Sequence, residues 1–247
     1  MQPIIFVHGF MEDGNCFNQW KFFFENKGYQ CYNPTWVNHS KTSSDKEKVQ
    51  TDLNAVINGY IELIDTLDTK PILIGHSLGG IIIQKLIEDN KGCLGITLTS
   101  GPPKGIITFQ KDWIISNFKI MNPFNRNPLV LMDPSWYNTY VTNEMSLSET
   151  KAFLEQNAIK SSKLVAKSIS KQGQIDFSKP HVPLLFISGE LDRSQPPIIQ
   201  EKNAKAYSHQ SSTTDWITFS NRTHNIHLQE GWQEIAEYCC QWILKLS

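Results

Sequence analysis

The chain has 247 residues, of which 40% are hydrophobic and 19% charged, and its formal net charge is -1. That size and composition suit one folded core and exclude a disordered chain, while so small a charge provides no field to draw in nucleic acid or an anionic membrane. No apolar run approaches the roughly 20 residues that span a bilayer, so no membrane span is expected.

The N-terminus enters an apolar strand almost at once, without a basic stretch or a small-residue cleavage site, so the expectation is a cytoplasmic protein. Short apolar runs at 3–7, 29–32, 71–75, 94–99, 183–188 and 215–219 alternate with helix-period stretches near 15–26, 45–67, 78–89, 196–207 and 229–244. Such alternation predicts a parallel sheet covered by helices. Within 45–67, Val49, Leu53, Val56, Ile57, Tyr60, Ile61 and Ile64 share one helical face, which must pack on the sheet.

Residues 101–179 break the pattern. They open on Gly101-Pro102-Pro103 and carry Pro123, Pro128 and Pro134. Aromatic and Met residues follow one another through the segment (Phe109, Trp113, Phe118, Met121, Phe124, Met132, Trp136, Tyr137). One helix is well signalled, at 151–169, behind the capping-box pair Ser146 and Glu149. Because the strand–helix pattern resumes at Pro183, 101–179 is predicted to be a cap, or lid, inserted into a core made of 1–100 and 180–247. The five cysteines (Cys16, Cys31, Cys93, Cys239, Cys240) have no metal-binding spacing. Reduced, mostly buried thiols are expected, with a single Cys16–Cys31 bridge in an exported form as the alternative.

Gly75-His76-Ser77-Leu78-Gly79 is the strongest local signal. It lies between the apolar run at 71–74 and a helical pattern carrying Ile81, Ile82, Ile83, Leu86 and Ile87. In that setting a G-x-S-x-G run turns sharply from strand to helix and presents the serine hydroxyl at the sheet's rim. Free N–H groups at the following helix start favour negative charge there. A serine needs a base and an oxyanion site to act as a nucleophile. His8-Gly9-Phe10, closing the first strand, suits an oxyanion hole made from the backbone N–H groups of Phe10 and Leu78.

Together Val7-His8-Gly9-Phe10, Gly75-His76-Ser77-Leu78-Gly79-Gly80, Gly189-Glu190-Leu191-Asp192 and Thr223-His224-Asn225 resemble the α/β-hydrolase superfamily, in its chain order Ser…Asp…His. The likeness covers the chain outside the insertion. It is greatest to the small bacterial esterases, lipases and cofactor-free haloperoxidase-like members, an impression to which Ser100-Gly101-Pro102-Pro103-Lys104-Gly105 and Glu230-Gly231-Trp232 add. The resemblance implies an α/β fold with a six-stranded, mostly parallel sheet, helices on both faces and a helical cap. Relative to the usual fold, two strands that precede the His-Gly loop are missing. It further implies Ser77 as nucleophile, His224 as base and Asp192 as the acid that orients it.

Glu190 rivals Asp192 and His227 rivals His224, and Thr223 stands where the family usually has glycine. His8 and His76 are expected to order the oxyanion loop and elbow, and His39, His181 and His209 to be ordinary surface or loop residues. The implied activity is hydrolysis of a small-molecule carboxylic ester or related acyl substrate, with no metal and no organic cofactor. Other acyl chemistry on the same residues and a non-catalytic ligand receptor remain as alternatives. Trp113, Trp136 and Tyr137 are the candidates for lining an acyl site under the cap, against plain packing.

Overall fold

The computed structural model describes residues 2–122, 124 and 126–246; Pro123 lies outside them. Its strands are β1 (Ile4–Val7), β2 (Cys31–Tyr32), β3 (Ile72–His76), β4 (Leu94–Leu98), β5 (Leu129–Val130), β6 (Ser161–Ser162), β7 (Leu184–Gly189) and β8 (Thr214–Phe219). The helices are α1 (Asn18–Glu25), α2 (Asp45–Gln50), α3 (Leu53–Ile64), α4 (Leu78–Glu88), α5 (Lys111–Met121), α6 (Pro134–Tyr140), α7 (Leu147–Asn157), α8 (Lys163–Gln172), α9 (Pro197–Ala206) and α10 (Gln233–Lys245). Six strands form one sheet in the order β2-β1-β3-β4-β7-β8, and every pairing in it is parallel.

Alternation along each strand sends side chains to two apolar layers. Ile4 and Phe6 pack with Trp20, Phe24, Ile235 and Cys239 from α1 and α10. Ile5 and Val7 pack on the other face with Leu53, Val56, Ile82 and Leu86 from α3 and α4. Each such side chain, once buried, stabilises the fold by about 1.5–3 kcal/mol. The chain leaves β1 toward β2 on one side and then returns to β3 on the other. The strand order therefore reverses between β1 and β3, the kind of switch point where open α/β sheets form a crevice.

The stretch expected as one helix over 45–67 is two. Thr51 and Asp52 are both extended, and the Asp52 carboxylate accepts the Ala55 N–H as the N-cap of α3. An aspartate that can cap a new helix start competes with continuing the old one. The expected helix at 151–169 is divided too. Ser146 and Glu149 do form the capping box of α7. Beyond α7, Ser161 and Ser162 pair antiparallel with Leu129 and Val130, and Ser162 caps α8 through the Leu164 N–H. All five cysteines are free thiols. Among the described residues no helix is long and apolar enough to cross a membrane.

Candidate active site

Each residue at the rim owes its place to the strand it follows. Ser77 directly follows β3 and precedes α4, with φ 52 and ψ -115. This backbone region is costly for a residue with a Cβ, and it persists only where the surroundings enforce it. Here the Ser77 N–H donates to the Leu98 carbonyl at 2.9 Å, and the Ser77 carbonyl accepts from Gly80 and Gly101 at 3.0 and 3.1 Å. The two flanking glycines are required by close approach. A Cβ at Gly79 would lie 2.1 Å from the Val7 carbonyl oxygen, and one at Gly75 would lie 2.4 Å from that of Gly79.

Asp192 sits in the turn after β7 and His224 in the loop after β8, and both are buried. His224 Nε2 is 3.1 Å from Ser77 Oγ, and His224 Nδ1 is 2.8 Å from Asp192 Oδ2. The other oxygen of Asp192 accepts the Gln195 N–H at 2.7 Å. An ionised carboxylate only accepts, so Nδ1 carries the imidazole proton and the Nε2 lone pair faces the serine hydroxyl. Of the two rival pairs, the structure brings Asp192 and His224 to Ser77. Glu190 is exposed and accepts the Asn221 N–H. His227 Nε2 faces Glu12 at 3.3 Å instead. Thr223 is fully buried, its hydroxyl donating to Glu144 at 2.9 Å, and burial pushes the Glu144 carboxyl up.

A cavity of about 440 Å³ opens over Ser77. Phe10, Leu78 and His224 line it from the core, and Trp113, Trp136 and Tyr137 line it from the inserted helices. The three cap aromatics differ in kind. Trp136 and Tyr137 are buried in an apolar cluster with Met11, Tyr140 and Val141. Trp113 is half-buried, and its indole N–H donates to Gln195 Oε1 at 3.1 Å. Phe109, Phe118 and Phe124 are exposed.

His8 lies beneath this surface, its Nε2 accepting the Trp36 N–H at 3.1 Å and its Nδ1 facing the Gly9 carbonyl at 2.9 Å. Burial, with His39 nearby, pushes its pKa down to about 3. His39 is a loop residue, within the expectation of a surface or loop position, but it is not an exposed one. It is buried, stacked at 5.5 Å on His8 and tilted against Trp36 at 5.1 Å, and Nε2 donates to the Glu12 carbonyl at 2.9 Å. His181 and His209 are both half-buried. Glu12 is a residue that the sequence reading did not single out. Its carboxylate accepts from the Gly9 N–H at 3.0 Å and faces His76 Nδ1 at 2.9 Å.

Among solved structures, a monoacylglycerol lipase from Paleococcus ferrophilus is 18% identical with a TM-score of 0.75, the match covering 100% of this chain and 96% of that one. A methylesterase from Arabidopsis is 15% identical with a TM-score of 0.75, over 98% of this chain and 99% of that one. Tomato methylketone synthase I, complexed with 2-tridecanone, is 16% identical with a TM-score of 0.75, over 100% and 99%. At these identities the likeness is one of fold. No curated protein matches the sequence significantly. The model of the Alpha/beta hydrolase family matches residues 4–238, nearly the whole chain, in accord with the parallel sheet and the strand–turn–helix around Ser77: this chain belongs to the alpha/beta hydrolase family.

Proposed function

We propose that the protein is a serine hydrolase that cleaves a small-molecule carboxylic ester, of the esterase and lipase kind. The observation that carries this reading is the line from Ser77 Oγ through His224 to Asp192, at 3.1 and 2.8 Å. In the proposed reaction Ser77 Oγ attacks the ester carbonyl carbon while His224 Nε2 takes the hydroxyl proton. Asp192 holds the Nδ1–H tautomer and stabilises the imidazolium that forms. The backbone N–H groups of Phe10 and Leu78 receive the oxyanion, at the switch point between β1 and β3. Collapse expels the alcohol, which takes the proton from His224. A water, deprotonated by His224, then attacks the acyl-Ser77 carbonyl and releases the acid. The steps balance with water alone and call on no metal or organic cofactor.

Preference for an ester with an apolar acyl group follows from the cavity, where Trp113, Trp136 and Tyr137 stand over the serine. Two of the structural neighbours, a lipase and a methylesterase, are named for chemistry of the same kind. The test is Ser77→Ala, assayed with a series of p-nitrophenyl esters and with a fluorophosphonate probe. Labelling is expected to vanish and kcat to fall by roughly 10⁴–10⁶. A variant that keeps more than about a tenth of wild-type turnover would overturn the assignment.

A further inference from the structure

Beside the proposed nucleophile, in the lining of the same cavity, one carboxylate is bonded to parts of the chain far apart in sequence. Glu12 Oε2 accepts the Gly9 N–H at 3.0 Å, inside the loop that presents Phe10. The same oxygen is 2.9 Å from His76 Nδ1, on the residue directly before Ser77. His76 Nε2 in turn is 2.9 Å from the backbone carbonyl of His224, which also lies 3.4 Å from the Thr99 hydroxyl. We propose that Glu12 and His76 are a positioning pair, a buried ion pair that ties the oxyanion loop, the serine elbow and the base loop into one arrangement. The proposal rests on the serine-hydrolase reading, because positioning matters only if Ser77 and His224 react.

The protonation state follows from the partners. A backbone carbonyl only accepts, so His76 Nε2 carries a proton. An ionised carboxylate that already accepts an N–H also only accepts, so Nδ1 carries one too, and His76 is an imidazolium. Burial by itself raises the Glu12 carboxyl, but His76 and His227 outweigh it and hold it well below the usual range. Burial likewise lowers His76, but the Glu12 charge, the hydrogen bonds to Glu12 and to the His224 carbonyl, and the Asp192 charge together reverse this and raise it. The other groups facing the pair are His227, His8, His39, Cys16, Tyr137 and, through His76, Asp192 and His224. His227, pushed down to about 4 by burial and by the His76 charge, remains the neutral neighbour.

Glu12, His76 and His227 also bring ligand atoms within 4.8 Å of one another, close enough to suggest a metal ion. Ring geometry argues for the ion pair instead. The His76 and His227 rings lie one over the other, centroids 3.9 Å apart and planes 31° apart. In-plane lone pairs of rings so stacked run side by side instead of converging on one ion. His76 Nδ1 hydrogen-bonds Glu12 Oε2 at 2.9 Å, whereas His227 Nε2 lies 3.3 Å from Oε1 without hydrogen-bond geometry.

The experiment is ¹⁵N NMR of the imidazole nitrogens in the full chain, with His76 assigned by the signals lost in His76→Gln, alongside kinetics and metal analysis. In the wild type at pH 7.5, both His76 nitrogens are expected to be protonated. Glu12→Gln keeps the shape and removes the charge. It is expected to leave His76 with one proton, to lower kcat and the rate of Ser77 labelling by roughly 10–100-fold, and to change KM little. A role in packing alone would leave the imidazole spectrum and kcat of a folded Glu12→Gln unchanged, and that result overturns the proposal. So does a singly protonated His76 in the wild type, or a stoichiometric bound metal that Glu12→Gln loses. The wild-type spectrum decides even if the variant does not fold. It also separates this idea from the ester reading, since it needs no turnover.

Discussion

The region below Ser77 and the region above it are built on opposite principles. Below, the loops after β1, β3 and β8 are joined by directed polar contacts from Glu12 to the Gly9 N–H and His76 and from His76 to the His224 carbonyl. Above, the inserted helices meet the cavity with apolar side chains and hold the core through contacts nearer their ends. Among these, the Ile159 N–H donates to the Met11 carbonyl, Ser161 Oγ accepts the Met11 N–H, and Ser168 Oγ accepts the Leu53 N–H. Directional bonds fix angles, and a buried group that loses its partner is left with a desolvation cost of about 1–3 kcal/mol. Apolar contacts scale with area and tolerate change of shape. On the serine-hydrolase reading proposed above, geometry for bond-breaking would be concentrated below the serine, and selectivity above it.

That contrast can be broken most severely at Asp192. Asp192→Asn is expected to lower kcat by about 10⁴, by leaving His224 in the wrong tautomer. Glu190→Gln, on the exposed neighbour in the same turn, is expected to leave kcat within about a factor of 3, as a surface change of about 0.5 kcal/mol would. Steady-state kinetics on one ester compares the two, and a severe loss at Glu190 with a mild one at Asp192 would reverse their roles.

Above the serine a smaller effect is expected, on selectivity. Trp113→Ala should change the preference between short and medium acyl chains by a factor of roughly 10–200, while a small fluorophosphonate still labels Ser77. A chain-length profile that matches the wild type, in a folded variant, would make Trp113 a packing residue. Trp113 is the residue to test because Trp136 and Tyr137 are buried in their own cluster. Truncating either one would cost about 3–5 kcal/mol of stability and blur the comparison.

The smallest effect concerns stability below the serine. His39 takes up its proton near 6.5 in an unfolded chain and only near 4 in the folded protein, because burial lowers it. Between those values the unfolded state holds the extra proton, so this contribution is complete above about pH 6.5 and is lost as pH falls toward 4. His8 and His227, held near 3 and 4, act in the same sense. His39→Gln should flatten the fall in stability with acid by up to about 1.4 kcal/mol per pH unit. Urea midpoints at pH 7, 6 and 5 would measure it, and an unchanged slope in a folded variant would mean that His39 is not buried neutral.

Much of the core and of the candidate site was legible before folding. The six runs of strand pattern coincide with the six strands of the sheet, because apolar periodicity records which faces are buried. Less legible were the places where one side chain decides. Asp52 divides the helix expected over 45–67, and Ser161 and Ser162 divide the one expected over 151–169, each by bonding the backbone in a way that hydrophobic period does not register. The burial of His39 and the partners of Glu12 were not legible, since burial of a polar side chain depends on partners that arrive from elsewhere.

What the sequence determined by itself is the turn at Gly75-His76-Ser77-Leu78-Gly79, because residues joined by peptide bonds carry their strand, their missing Cβ atoms and their helix start with them. Which groups meet that serine was decided by the tertiary structure. Ser77 and His224 are 147 positions apart, His224 and Asp192 are 32, and His76 and Glu12 are 64. Only the parallel register of β1, β3, β7 and β8 sets the ends of those strands at one rim, where a difference of a few ångströms admits Asp192 and leaves Glu190 in solvent.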